Sequence, residues 1–186
     1  MTKPRPSGEA PDEDLLHLSG KGSEEAFLAL YWRHQGSVFR FAMHMSGSQE
    51  TAEEVTQEVF LALLTSPRRY DPALGSLEAY LIGAARNQVR RYLRSASPEP
   101  ADMTDIGIEP IDLHRAQDLA RLRRAILALP PNYREVLVLC DIEELSYEEA
   151  ARRLSCAVGT VRSRLHRARA ILLAKMRRHA PEGCSV

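Results

Sequence analysis

Arg162, Ser163, Arg164, His166 and Arg167 fall within six consecutive positions, with Thr160 just before them. A guanidinium presents a planar fork of N–H donors, and a hydroxyl both donates and accepts. Side chains of these types at this density suit phosphates and the edges of nucleic-acid bases. The surrounding stretch, VGTVRSRLHRARAILLAKMRR from Val158 to Arg178, holds eight basic residues, counting His166, and no acid. Yet the 186-residue chain balances 25 Lys+Arg against 25 Asp+Glu. The protein is therefore no simple polycation; its charge is sorted along the chain.

Two further segments are sorted in the same way. Residues 41–66 carry Glu50, Glu53, Glu54 and Glu58 and no Lys or Arg, whereas RNQVRRYLR, residues 86–94, carries Arg86, Arg90, Arg91 and Arg94 and no acid. Acids without a basic partner in their own segment are expected to meet cations on another molecule. Enzyme chemistry finds little support. The chain has no P-loop, no nucleophile elbow and no HExxH motif. A carboxylate metal centre on Glu53, Glu54 and Glu58 lacks the Glu-x-x-His pairs of helical di-iron sites. No metal, cofactor or catalytic activity is expected. Cys140, Cys156 and Cys184 form no CxxC pair, and the first two sit among apolar residues typical of buried thiols.

These side chains need helices to position them. From Asp14 to Leu93, and again from Leu113 to Met176, apolar residues recur at helical spacing without strand-like alternation. Between them SASPEPADMTDIGIEPID contains three prolines and no basic residue, the composition of a linker. The expected architecture is all-α: two small helical domains, residues 14–94 and 113–178, joined by a flexible acidic linker over 95–112. Residues 1–13 and 179–186 read as tails, the first disordered. No apolar run is long enough to cross a bilayer and the N-terminus has no apolar core of a signal peptide, so a cytoplasmic protein without membrane insertion is expected.

The C-terminal domain reads as a helix-turn-helix. Ser146 and Glu149 form an S-x-x-E capping box that starts a helix at Tyr147, with Ala150 and Leu154 inside. SCAV, residues 155–158, is the turn. In the second helix Val158, Val161, Leu165, Ala168 and Leu172 face inward. At about 100° per residue, Ser163 and His166 then face outward, flanked by Arg162 and Arg167. Gly159 leaves the helix start open. On the acidic segment Ala52, Val55, Val59 and Leu63 form an inward stripe, leaving Glu54, Gln57, Glu58 and Leu61 elsewhere on the surface.

Leu129 to Leu172 resembles region 4 of the extracytoplasmic-function (ECF) group of bacterial sigma-70 factors, through its LP…R…L opening, LSYEEAA helix and GTVRSRL…RAR. AFLALYWRHQGSVFRFA, AEEVTQEVFLALL and SLEAYLIGAARNQVRRYLR resemble region 2 of the same group. The resemblance implies contacts to the −35 promoter element by Arg162, Ser163, His166 and Arg167, with Arg164 and Thr160 beside them. It implies contacts to the −10 element by Asn87, Arg86, Arg90, Arg91 and Tyr80, with the loop Tyr70–Leu77 walling a flipped-base pocket. It further implies that Glu54, Gln57, Glu58 and Leu61 bind the clamp of the largest subunit of core RNA polymerase. An anti-sigma factor is an implied partner, and a monomer the implied free state. A tryptophan is common in the family where this chain has Tyr80. Gly83 sits inside a helix, where it costs roughly 0.5–1 kcal/mol relative to Ala, a cost that a close helix contact would explain. The competing reading is a stand-alone helix-turn-helix regulator that binds duplex DNA without polymerase.

Overall fold

The computed structural model describes residues 10–95 and 113–178. The expected linker over 95–112 and tail over 179–186 therefore lie, apart from Ser95, outside the described residues, as do residues 1–9. Every regular element among the described residues is helical, as the sequence pattern implies. Contacts sort the described residues into two compact units, one of residues 10–43 and 49–95, the other of 44–48 and 113–178.

The chain enters helix α1, Asp12–Gly20, two residues before the expected end of the tail. Pro11 caps it, and Asp12, Glu13 and Asp14 place three acids in the first turn, where the helix dipole favours negative charge. Asp12 also reaches the next helix, α2 (Glu24–Ser46): it accepts from Arg33 Nη1 and pairs with His34 Nε2 at 2.8 Å. Arg33 Nη2 in turn donates to the Ala10 carbonyl at 3.0 Å. That anchoring gives residues 10–13 a defined place.

Helix α3 (Gln49–Thr65) buries Ala52, Val55, Val59 and Leu63, the stripe read from spacing, together with Thr56 and Phe60. Phe60 meets the edges of Phe27, at 6.4 Å between centroids, and Tyr31, at 4.9 Å. Such aromatic pairs contribute about 0.5–1.5 kcal/mol beyond their buried area. Helix α4 (Leu77–Ser95) packs on α3 and buries Leu77, Leu81, Ile82, Ala85 and Val89. Gly83 is no contact point: a methyl group built there meets nothing within 4 Å. The close helix contact that would explain a glycine there is absent among the described residues.

In the second unit α5 (Leu113–Leu127) is followed by α6 (Pro131–Leu137), which widens into a π-helical turn over Val138–Ile142. Arg134, buried on α6, donates to the carbonyls of Leu127, Leu129 and Met45. Its fork thereby satisfies acceptors that the end of α5 leaves open. Burial pulls the Arg134 guanidinium below its ordinary pKa.

Helices α7 (Tyr147–Leu154) and α8 (Val158–Arg178) form the helix-turn-helix. The capping box is complete: Ser146 Oγ accepts from the Glu149 amide at 3.2 Å, and the Glu149 carboxylate accepts from the Ser146 amide at 3.1 Å. The Ser146 hydroxyl also donates to that carboxylate at 2.7 Å, and this bond first, then the one from the Ser146 amide, holds the Glu149 carboxyl below the usual carboxylate range. Ser155 ends α7 in the left-handed region at φ 51°. α8 packs against α7, α6 and α5, with Val161, Leu165 and Ala168 in the core. Val158 and Leu172, expected fully inside, are only half-buried, since they sit at the two ends of the packed span.

Candidate nucleic-acid interface

Burial of Val161, Leu165 and Ala168 fixes the rotation of α8, and the rest of its surface follows. Arg162, Ser163, His166 and Arg167 are all exposed along one face, with Thr160 and Arg164 half-buried at its border. Ser163 Oγ donates to the Thr160 carbonyl at 3.1 Å, leaving its oxygen free to accept. Arg164, His166 and Arg167 have no partner among the described residues. The start of α8 is open at Gly159, where an added methyl meets nothing within 4 Å. This is the shape and charge of a helix that enters a major groove, with donors toward base edges and phosphates.

Not all of the positive charge on α8 is available. Arg169 gives Nε and Nη2 to Asp141, at 3.0 and 2.6 Å. That fork raises the Arg169 pKa above its ordinary value and ties α8 to the π-helical turn. Arg162 is treated differently: its guanidinium carbon lies 5.7 Å from the centre of the Tyr147 ring. Neither Asp141 nor Tyr147 stands out from the sequence as a partner, because each is distant along the chain and belongs to another element.

In the first unit, Asn87 and Arg91 are exposed and Tyr80 half-buried on one stripe of α4, at spacings of seven and four. Arg90 and Arg86 are half-buried beside it. Tyr80 packs on Tyr70, 5.7 Å between ring centroids, and Tyr70 donates to the Gly75 carbonyl at 3.0 Å. Burial leads the causes that raise the Tyr70 pKa. The loop from Tyr70 to Leu77 is thus an ordered turn, with Asp71 Oδ1 accepting from the Ala73 amide at 3.0 Å.

The acids of α3 do not wait for another molecule. Glu58 pairs with Arg91 at 3.2 Å, and Glu54 accepts from the Tyr92 hydroxyl at 2.5 Å. The latter bond pushes the Tyr92 pKa up to about 12. The expectation of unpaired acids considered one segment alone, whereas α4 lays its basic residues alongside α3. Gln57 and Leu61 are exposed, Leu61 at 60%. Among the described residues no group of three or more His, Cys, Asp or Glu side chains could hold a metal ion. Nor is any helix there long and apolar enough to cross a membrane.

A two-unit helical protein whose second unit presents a basic helix-turn-helix defines the class. Residues 30–99 match Sigma-70 region 2, and residues 119–172 match Sigma-70, region 4. The ECF RNA polymerase sigma factor SigE of Mycolicibacterium smegmatis is 39% identical over 160 residues, which cover 81% of this chain. The match spans only 61% of the length of that SigE. The ECF sigma factor SigC of Mycobacterium tuberculosis is 34% identical over 167 residues, covering 86% of this chain and 88% of SigC. Among solved structures, CnrH in complex with the cytosolic domain of CnrY matches with a TM-score of 0.71 at 26% identity. That match covers 91% of this chain and 99% of CnrH. The chain belongs to the ECF group of the sigma-70 family of RNA polymerase sigma factors.

Proposed function

We propose that the chain is an alternative sigma factor that directs core RNA polymerase to promoters and helps open the duplex. Residues 14–94 serve as the region 2 module and residues 113–178 as the region 4 module. The face of α8 formed by Arg162, Ser163, His166 and Arg167, bordered by Thr160 and Arg164, reads the −35 element. Asn87, Arg86, Arg90, Arg91 and Tyr80 on α4 hold the −10 element. Glu54, Gln57, Glu58 and Leu61 on α3 engage the clamp of the largest polymerase subunit. The pairing of Glu58 with Arg91 does not oppose this role: both side chains are exposed, and exposed pairs contribute only about 0–1 kcal/mol. CnrH is solved in complex with the cytosolic domain of CnrY, which supports a protein partner for this chain, and an anti-sigma factor is the partner proposed. In the free state the chain is a cytoplasmic monomer.

The observation that carries this reading is the division of basic residues on α8. Arg169 is bound by Asp141, whereas His166 and Arg167 on the exposed face and Arg164 at its border have no partner among the described residues. A fully solvated structural helix has no need of that division. The test is transcription from a promoter library by core polymerase with and without the purified chain. Discrete new start sites that depend on the chain are expected. A chain that leaves start sites unchanged, yet binds duplex DNA tightly by itself in physiological salt, is a stand-alone regulator instead.

A further inference from the structure

Tyr147 lies outside the set of side chains assigned above to DNA, yet it touches that set. It is the first residue of α7, and the Arg162 guanidinium carbon sits 5.7 Å from its ring centre, inside the range of a cation–π contact. Both ends of the contact are fixed. The Ser146–Glu149 capping box holds the first turn of α7, and buried Val161 and Leu165 hold the turn of α8 that carries Arg162.

The comparison with Arg169 shows what the ring does. Arg169 lies on the same flank of α8, two turns further on, and gives two of its nitrogens to a carboxylate. Those donors are consumed. Tyr147 engages the charge of Arg162 through its π face, and Arg162 makes no hydrogen bond to the described residues. The arginine is therefore ordered before DNA arrives, with its N–H donors still available. An arginine free in solvent loses more side-chain freedom when it docks.

We propose that Tyr147 is a positioning residue for Arg162, so that discrimination at the base pairs Arg162 reads depends on a ring that itself reads no base. This inference rests on the reading of Arg162 as a DNA contact, and the experiment separates the two. Holoenzymes carrying the wild-type chain, Arg162→Ala, Tyr147→Phe or Tyr147→Leu are each selected on a randomised duplex library. The preference ratio at every position is then compared. That ratio does not depend on the fraction of folded chain, so lost stability alone does not move it.

Arg162→Ala is expected to flatten preference at one or two adjacent base pairs. Tyr147→Leu is expected to reduce preference at the same pairs by about two- to fivefold, the ratio an exposed cation–π contact supports. Tyr147→Phe, which keeps the ring, retains the wild-type preference. If Arg162→Ala flattens those positions and Tyr147→Leu does not, the positioning role is overturned while the DNA contact stands. If Tyr147→Phe loses as much as Tyr147→Leu, the hydroxyl and not the ring is responsible, and the inference fails. If Arg162→Ala changes nothing, the assignment of Arg162 fails and the role of Tyr147 with it.

Discussion

Arg162 and Arg169 stand seven positions apart on α8 and are indistinguishable by residue type, yet one is bound by a carboxylate and the other rests on a ring. Their difference lies in Asp141 and Tyr147, which only the fold brings near. Periodicity identifies the outward positions of α8 correctly, because Val161, Leu165 and Ala168 fix its rotation. It does not identify which outward charges are already neutralised, and the same limit explains why Glu54 and Glu58 read as unpaired. Cys140 and Cys156 read as buried thiols from their apolar neighbours, yet the fold leaves both half-buried, and at Cys140 even that partial burial has an effect. Burial, and then the nearby Asp141, push its thiol up to about 11 from 9.0. The folded state therefore favours the neutral thiol: the contribution to stability is fully present below pH 9 and is lost as pH rises through about 11. In a chain with Cys156→Ser and Cys184→Ser, iodoacetamide labelling of Cys140 at pH 8 is expected to be much slower than in the urea-unfolded chain. Equal rates would contradict the burial argument.

At the scale of elements, the legible features were those with local chemistry. The capping box at Ser146 and Glu149 starts α7 where the sequence places it, because both bonds run between residues three apart. Ser146→Ala is expected to lower stability by about 1 kcal/mol, read as a shift in the urea midpoint with an unchanged slope. The Glu149 share of that box has the sign of a depressed carboxylate: it is present above the ordinary carboxyl pKa and disappears as pH falls through the lowered folded value. The start of α1 is less legible, because Asp12, an acid of the stretch that reads as a disordered tail, is held by Arg33 and His34. Gly83 has no such partner. Its backbone is ordinary helix and its surroundings are open, so Gly83→Ala is expected to raise stability by about 0.5–1 kcal/mol. A loss of stability on thermal melting would show a contact that the described fold lacks.

At the scale of the whole molecule, a chain with zero formal net charge carries basic faces on α4 and α8 and an acidic one on α3. Charge sorting of this kind suits a protein that joins an anionic polymer to another protein. The helical class and the two-part organisation were readable because apolar spacing is helical on both sides of one proline-rich break. In the proposed function the two kinds of surface are separable. That separability is tested by measuring core-polymerase affinity and promoter preference together for Leu61→Ala, Glu58→Ala and Arg167→Ala. The α3 variants are expected to weaken polymerase capture by about fivefold or more, the loss that follows when an interface anchor is truncated, with promoter preference unchanged. Arg167→Ala is expected to leave polymerase capture intact and lower discrimination between promoters by about fivefold or more. Full polymerase affinity in both α3 variants, or full promoter discrimination in Arg167→Ala, would show that the surfaces do not divide the work in this way.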